Sequence, residues 1–155
     1  MFPKVYIRNA ISSDISTIVE YNLALAKETE NRQISEEVLK LGIVNALKRN
    51  DCHYFVAEVK GKVIGQTMIT NEWSDWKNGV IWWLQSVYVT PEYRKKSVFK
   101  RIFQYVETLG KRDPLVKGLR LYVMKNNQLA QVVYRKLGID DSSYIVYDKD
   151  VNVGL

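Results

Sequence analysis

Positive charge is concentrated where a predicted strand gives way to a predicted helix. The run Ile81–Val89 is apolar and β-branched, as a buried strand is, and it stops at Pro91. An amphipathic helix begins at Val98, and the first N–H groups of a helix attract anions because they lack partners inside it. A solvated helix face explains any one lysine here, but together the charges predict a phosphate-binding loop; they are Arg94, Lys95, Lys96, Lys100 and Arg101.

A second candidate for chemistry is a tyrosine near the end of the chain. Asn127, Ala130 and Tyr134 are spaced i, i+3 and i+7, so they share one face of a predicted helix over Asn127–Leu137. A phenol stays protonated near pH 7 and can therefore give a proton to a leaving group. A packed helix tyrosine and an N-terminal cap are the structural alternatives for Tyr134 and Asn127.

The elements that position these residues follow from hydrophobic period, helix caps and turns. Lys60-Gly61-Lys62 and Asn78-Gly79 predict two hairpins, and Gly138 suits a left-handed helix end. The predicted elements are strands at Val5–Arg8, Tyr54–Val59, Val63–Thr70, Ile81–Val89, Leu119–Val123 and Tyr144–Tyr147, and helices beginning after Asp14, at Ser35, at Val98 and at Asn127.

This order predicts an α/β fold with one mixed sheet. Hairpins in the middle of the chain favour antiparallel strands, and helical crossovers near its end favour helices on both faces of the sheet. A length of 155 residues predicts one domain over residues 1–155, large enough to bury a core.

Two motifs resemble the GNAT (Gcn5-related N-acetyltransferase) family. Val87-x-Val89-x-Pro91-Glu-Tyr-Arg94 is similar to its motif A, although Ser97 and Phe99 stand where the family has small residues. The segment from Val123 through Asn127, Ala130 and Tyr134 to Gly138 resembles its motif B. The resemblance implies a GNAT-like fold, with a mostly antiparallel central sheet of six to seven strands flanked by about four helices.

The resemblance also implies acetyl-CoA as co-substrate. Backbone amides of the basic loop would hold the pyrophosphate, and the pantetheine arm would lie where strands four and five splay apart at a bulge. Tyr134 would act as general acid toward the departing CoA thiolate, and Asn127 would hydrogen-bond the co-substrate. The implied acetyl-CoA-binding residues are Val87, Tyr88, Val89, Arg94, Lys95, Lys96, Ser97, Val98, Phe99, Lys100, Asn127 and Tyr134.

The acceptor is expected to be a primary amine of a small molecule or peptide. Family members often carry a glutamate as general base on strand four, but the aligned residue here is Gln85, which cannot take up a proton usefully. Candidate acceptor-binding residues are Glu28, Trp73 and Gln85; Glu30, Glu72 and Asp75 are further candidate bases, and Trp76 is a further wall residue. Core packing or a dimer contact are the alternatives for both tryptophans.

Composition limits the class of protein. Hydrophobic residues make up 46% and charged residues 26%, the proportions of a soluble globular protein. Cys52 is the only cysteine, so the sequence predicts no internal disulfide, no Cys-rich zinc site and a cytoplasmic location. His53 has no second histidine beside which a metal could bind, so no metal site is expected, and no apolar run is long enough to span a bilayer, so no membrane partner is expected. The net charge of +6 leaves a nucleic-acid-binding protein as one rival, but no nucleic-acid-binding motif accompanies it. A non-catalytic acyl-CoA-binding module is the other rival, and a homodimer is compatible with the family.

Overall fold

The computed structural model describes residues 2–152, which contain one five-stranded sheet and four α-helices. The chain divides into two compact units, one ending at Met124 and the other beginning at Lys125. The elements of the first unit are β1 Tyr6–Asn9, α1 Ile15–Glu30, α2 Glu36–Ala46, β2 Cys52–Val59, β3 Lys62–Ser74, β4 Gly79–Val89, α3 Val98–Arg112 and β5 Val116–Leu121. The second unit contains α4 Gln128–Lys136.

The sheet has the order β1-β2-β3-β4-β5, with antiparallel pairing up to β4 and parallel pairing between β4 and β5. This confirms the predicted mixed, mostly antiparallel sheet. Both predicted hairpins are present: Lys60 and Gly61 have positive φ in a two-residue turn, and Asn78 has positive φ before Gly79. Gly79 is also required by space, because a Cβ there would clash with the Leu115 carbonyl oxygen.

The predicted count of six to seven strands is wrong for the part of the chain that the structure describes. Tyr144–Tyr147, the predicted last strand, forms no ladder, and its four side chains are 56–89% exposed. A β-rich composition does not make a strand without a neighbour to accept its hydrogen bonds. The preceding strand is also shifted, to Val116–Leu121, because it pairs in parallel with the first half of β4.

Two apolar clusters cover the two faces of the sheet. Successive residues of a strand point to opposite faces, and β2 shows this: Tyr54 and Val56 pack with Ile18 of α1 and Ile43 of α2. On the other face, Ala57 of β2 packs in the second cluster with residues of α3, among them Val98 and Ile102. The first unit therefore has the predicted helices on both faces.

The second unit begins as the sequence predicted. The side-chain oxygen of Asn127 accepts a hydrogen bond from the Ala130 N–H at 3.2 Å and so caps α4. Gly138 has φ 81°, the left-handed conformation expected after a helix end. No helix within residues 2–152 is both long and apolar enough to cross a membrane.

An ion-paired group fixes β1 to the start of α1. Arg8 donates to Asp14 at 2.7 and 3.0 Å and to Glu58 at 2.8 Å, and Asp14 also accepts the Ile11 N–H at 2.8 Å. Asp14 is 6% exposed. The hydrogen bonds from Arg8 hold the pKa of Asp14 below its usual value, against the opposing effect of burial.

Replacing Asp14 by Asn should lower stability in a pH-dependent way. A carboxyl whose pKa is depressed by folding stabilises the fold above its unfolded pKa of about 3.9, and this contribution is lost as the pH falls through the folded value. Because the Arg8 side chain is 35% exposed, we expect a loss of only about 1–2 kcal/mol at pH 7.

Urea unfolding of Asp14→Asn and wild-type protein at pH 7 and below pH 4 measures this difference. Asp51→Asn is the matched control, since Asp51 pairs with Arg49 on the exposed surface and its loss should have little effect. An unchanged difference between wild type and Asp14→Asn at both pH values would contradict the assignment.

Candidate active site

The second half of β4 has one open edge. β5 pairs with β4 only from Val80 to Leu84, so within the described residues Gln85–Val89 has a strand neighbour on the β3 side alone. The pairing with β3 also shifts between Gln66 and Met68, which is the bulge that the family resemblance implied. The backbone of Val87 and Val89 therefore lies beside a gap in the sheet, where an extended ligand can add hydrogen bonds.

The predicted phosphate-binding loop leads directly from this strand into α3. Pro91–Tyr93 forms one 3₁₀ turn, and Lys95 and Ser97 both have φ 61°. Ser97 is the N-cap of α3, and the Arg101 N–H donates to the Ser97 carbonyl at 3.1 Å as the helix begins. N–H groups before this bond point away from the helix and, with the surrounding cations, form an environment that favours an anion.

Two of the loop cations already have partners in the protein. Arg94 donates to the Val89 carbonyl at 2.8 Å and to Glu28 at 2.7 Å. Lys96 donates to the Glu92 carbonyl at 2.7 Å. Lys95 and Lys100 are exposed to solvent on the same loop and helix turn. Arg94 thus links the end of β4 to Glu28 of α1, a role that the sequence pattern did not indicate.

Tyr88 lies between this loop and α1. Its ring packs against Tyr21 with centroids 5.0 Å apart, and its hydroxyl is 3.5 Å from Glu28. Burial raises the pKa of Tyr21 to about 12 and also raises the pKa of Tyr88, so both phenols are neutral near pH 7. Glu28, one of the candidate residues for binding the acceptor amine, is therefore in contact with both Tyr88 and Arg94.

The residue at the family's base position and two of the candidate bases near β3 and β4 are engaged in hydrogen bonds. Gln85 donates through Nε2 to the Thr70 hydroxyl at 2.6 Å. Glu72 accepts from Arg120 at 2.6 Å. Asp75 accepts the Trp76 N–H at 2.9 Å in the hairpin tip. These side chains hold the local structure, and none of the three contacts is between a candidate base and a basic imidazole or amine that could relay a proton.

The tryptophans near β4 divide into two kinds. Trp73 and Trp76 are 59% and 91% exposed, so neither is a core residue of the described chain. Trp83 is half-buried and stacks on Tyr122 of the first unit with ring centroids 4.4 Å apart. The register places Thr70, Trp83 and Arg120 in one row across β3, β4 and β5, next to Gln85 on the same face.

Tyr134 and Asn127 belong to the second unit, and their predicted roles stay predictions. Tyr134 is half-buried on α4, and burial raises the pKa of its phenol, which keeps the hydroxyl protonated at neutral pH. Across residues 2–152, no three His, Cys, Asp or Glu side chains gather in a group that could hold a metal ion.

Two buried residues of β3 at the bulge were missed by the sequence analysis. Gln66 and Thr67 are both 0% exposed, and their side chains bond the backbone of β4. The available signal was their position: two consecutive polar residues inside the apolar run Val63–Ile69. Alternation must direct one of them into each face of the sheet, where a polar group needs a partner.

An open strand edge at a bulge, next to a basic loop that starts a helix, places this chain in a class of α/β protein whose geometry suits an extended phosphate-bearing ligand. The chain belongs to the acetyltransferase (GNAT) family, which matches residues 18–139. This confirms the resemblance drawn from the two motifs, and acetyl-CoA, the co-substrate that they implied, agrees with this membership.

Several proteins similar to this chain are named as acetyltransferases. The chain is 30% identical over 148 residues to a thialysine N-epsilon-acetyltransferase of Bos taurus, covering 88% of this chain and 85% of that protein. A solved structure of "a possible acetyltransferase" from Clostridium difficile 630 is 40% identical, with a TM-score of 0.88 and coverage of 95% and 97%. A "predicted acetyltransferase" of Clostridium acetobutylicum, solved with acetyl-CoA, shares the fold at 19% identity, with a TM-score of 0.78 and coverage of 94% and 96%.

Ser97→Gly should stabilise the protein, because Ser97 holds a left-handed conformation that glycine adopts without a Cβ clash. The greater freedom of glycine in the unfolded chain offsets part of the gain, so we expect the free energy of unfolding to rise by about 0.5–1 kcal/mol. Urea unfolding measures it. Ser97→Ala retains the Cβ and is the matched control, which should show no gain. Equal shifts in both variants would show that strain at this position does not limit stability.

Proposed function

We propose that this protein transfers an acetyl group from acetyl-CoA to a primary amine of a small molecule or peptide, by direct attack in a ternary complex. The observation that carries the proposal is the continuous path from the open edge of Gln85–Val89 to the start of α3. At one end of this path, the open edge of β4 offers backbone hydrogen bonds, and at the other end the start of α3 offers an anion site. Acetyl-CoA has a matching shape, an amide-containing arm that ends in a pyrophosphate.

The residues of this path suit the two halves of acetyl-CoA. Backbone groups of Val87 and Val89 would bond the amides of the pantetheine arm, as a further strand would. Amides at the start of α3, together with Lys95 and Lys100, would hold the pyrophosphate. Arg94 would act mainly by fixing the loop, since its guanidinium already bonds Val89 and Glu28.

The reaction requires one bond to form and one to break. The amine nitrogen bonds to the acetyl carbon, the carbon–sulfur bond breaks, and the nitrogen loses a proton while the sulfur gains one. We assign the proton on sulfur to the Tyr134 hydroxyl, whose raised pKa keeps it protonated at neutral pH. Asn127, whose side-chain oxygen caps α4, would act toward the co-substrate through its NH₂ group.

The acceptor amine must reach this reaction as the free base. No carboxylate occupies position 85, and the Gln85 amide is oriented by Thr70. We therefore propose that water takes up the proton while backbone carbonyls accept hydrogen bonds from the amine, with Glu28 and Trp73 near the acceptor. The bovine relative is named for acetylating the side-chain amine of thialysine, which favours a small primary amine over a large partner as the acceptor.

The experiment that tests the function is release of free CoA in the presence of a panel of small primary amines. Wild-type protein should release CoA only when an amine is present, and Tyr134→Phe should lower kcat by roughly 10²–10⁴-fold with little change in acetyl-CoA affinity. Acetyl-CoA binding measured by calorimetry is the control for folding. Binding without turnover across the panel would favour the non-catalytic acyl-CoA-binding module instead.

Gln85→Glu should raise the rate at neutral pH for an amine of high pKa. The Thr70 hydroxyl, which now accepts from Gln85 Nε2, would donate to the new carboxylate, and this carboxylate supplies a base that the wild-type residue lacks. The wild-type rate should rise with pH until the free amine predominates, and Gln85→Glu should move this rise to lower pH. Gln85→Met, which offers neither amide nor carboxylate, is the control. A wild-type profile that is flat from about pH 6 to 9, with chemistry limiting, would show that another group acts as base.

A further inference from the structure

The bulge in β4 has an unusual backbone. Gln66 faces Tyr88 and Met68 faces Gln85, so Thr67 alone is opposite both Ser86 and Val87. Ser86 has φ 51°, a left-handed conformation that a residue with a Cβ adopts at a cost. Such a conformation persists only where the surrounding structure fixes it.

Two side chains of β3 replace the ladder bonds that the bulge removes. Gln66 Nε2 donates to the Ser86 carbonyl at 3.1 Å, and the Thr67 hydroxyl donates to the Gln85 carbonyl at 3.1 Å. Because neighbouring residues of a strand point to opposite faces, these two donors reach β4 from both sides of the sheet. Both donor side chains are fully buried, so losing either one would remove a hydrogen bond that the interior of the sheet supplies to β4.

Tyr54 of β2 connects the surroundings of the bulge to α1. Burial raises the pKa of the Tyr54 phenol and the neighbouring Ser86 side chain opposes this rise, while Asn22 of α1 donates to the phenol oxygen at 3.2 Å. Tyr54 is 5% exposed and Asn22 is 8% exposed. The Ser86 carbonyl is therefore bonded by a buried side chain of β3, and the Ser86 side chain lies near a buried tyrosine of β2.

Without the bulge, β3 and β4 would pair in a regular ladder of hydrogen bonds. That pairing would rearrange the site. A slip of one residue reverses the face to which every later side chain points. Tyr88, now packed on Tyr21, and Val89, now packed in the cluster on the α3 face, would exchange sides. The edge that carries the backbone groups of Val87 and Val89 would change with them.

We propose that Gln66 and Thr67 are positioning residues for the acyl donor. They fix the Gln85 and Ser86 carbonyls in the bulged path, so that the free edge of Val87 and Val89 faces the pantetheine arm of acetyl-CoA. They act through the β4 backbone and do not contact the substrate. This inference rests on the proposed function, and it adds the device that maintains the open edge.

The test compares two ligands in calorimetry. Acetyl-CoA carries the pantetheine arm, and 3′-phosphoadenosine 5′-diphosphate is the nucleotide half of CoA without that arm. Thr67→Val keeps the shape of the side chain and removes the donor, so it should weaken acetyl-CoA binding by about tenfold and leave the nucleotide affinity unchanged. Thr67→Ser restores the hydroxyl and should restore the affinity for acetyl-CoA.

Controls separate this role from a general loss of stability. Val19→Ala opens a cavity in the cluster formed with α1 and α2 without removing any hydrogen bond to β4, and should leave both affinities unchanged even with a lowered melting temperature. In the ligand-free protein, the amides of Ser86 and Val87 should exchange hydrogen faster in Thr67→Val than in Val19→Ala. Gln66→Met provides a second variant with the same expected pattern.

Three results would overturn the inference. Thr67→Val and Gln66→Met could bind acetyl-CoA as the wild type does, or they could weaken both ligands equally, which would indicate only a structural role. Unchanged exchange at Ser86 and Val87 in both variants would show that the bulge does not depend on these side chains. If the wild-type protein bound neither ligand, the proposed function itself would fail.

Discussion

The site depends on one extra residue in β4. Thr67 is opposite two residues of β4 just beyond Leu84, where the pairing with β5 ends, and within residues 2–152 the edge from there to Val89 has no strand partner. The left-handed backbone at Ser86 is unfavourable by itself, and the buried side chains of Gln66 and Thr67 on β3 bond the carbonyls on either side of the Ser86 nitrogen and Cα. A strained segment of β4 is thus fixed by side chains of the neighbouring strand.

The basic loop depends on that same strand for its position. The chain leaves the open edge at Val89, and Arg94, the first cation of the loop, donates back to the Val89 carbonyl. The ion pair between Arg94 and Glu28 then links the loop to the end of α1. The sequence predicted that all of these cations form one phosphate site, but in the structure they fall into two groups. Arg94 and Lys96 bond neighbouring protein groups, while Lys95 and Lys100 are exposed at the start of α3.

Local sequence signals predicted the elements well, and pairing between distant segments accounts for most of the errors. The Lys60-Gly61 turn, the Ser35 cap and the end of β4 before Pro91 depend on neighbouring residues, so they could be predicted. The start of β5 depends on its parallel partner, and Tyr144–Tyr147 has strand-like composition without a ladder. The bulge is a register property of two strands. The partners of Gln66 and Thr67 depend on it, so they could not be predicted from β3 alone.

The central claim is that acetyl-CoA binds along the open edge of β4 and at the start of α3. Backbone amide hydrogen exchange, followed residue by residue with and without acetyl-CoA, tests this most directly. The account predicts that exchange slows at Val87, Val89 and the first turn of α3, while amides of the β1–β2 pair stay unchanged. Slowing confined to other parts of the sheet, with no change along Val87–Lys100, would contradict it.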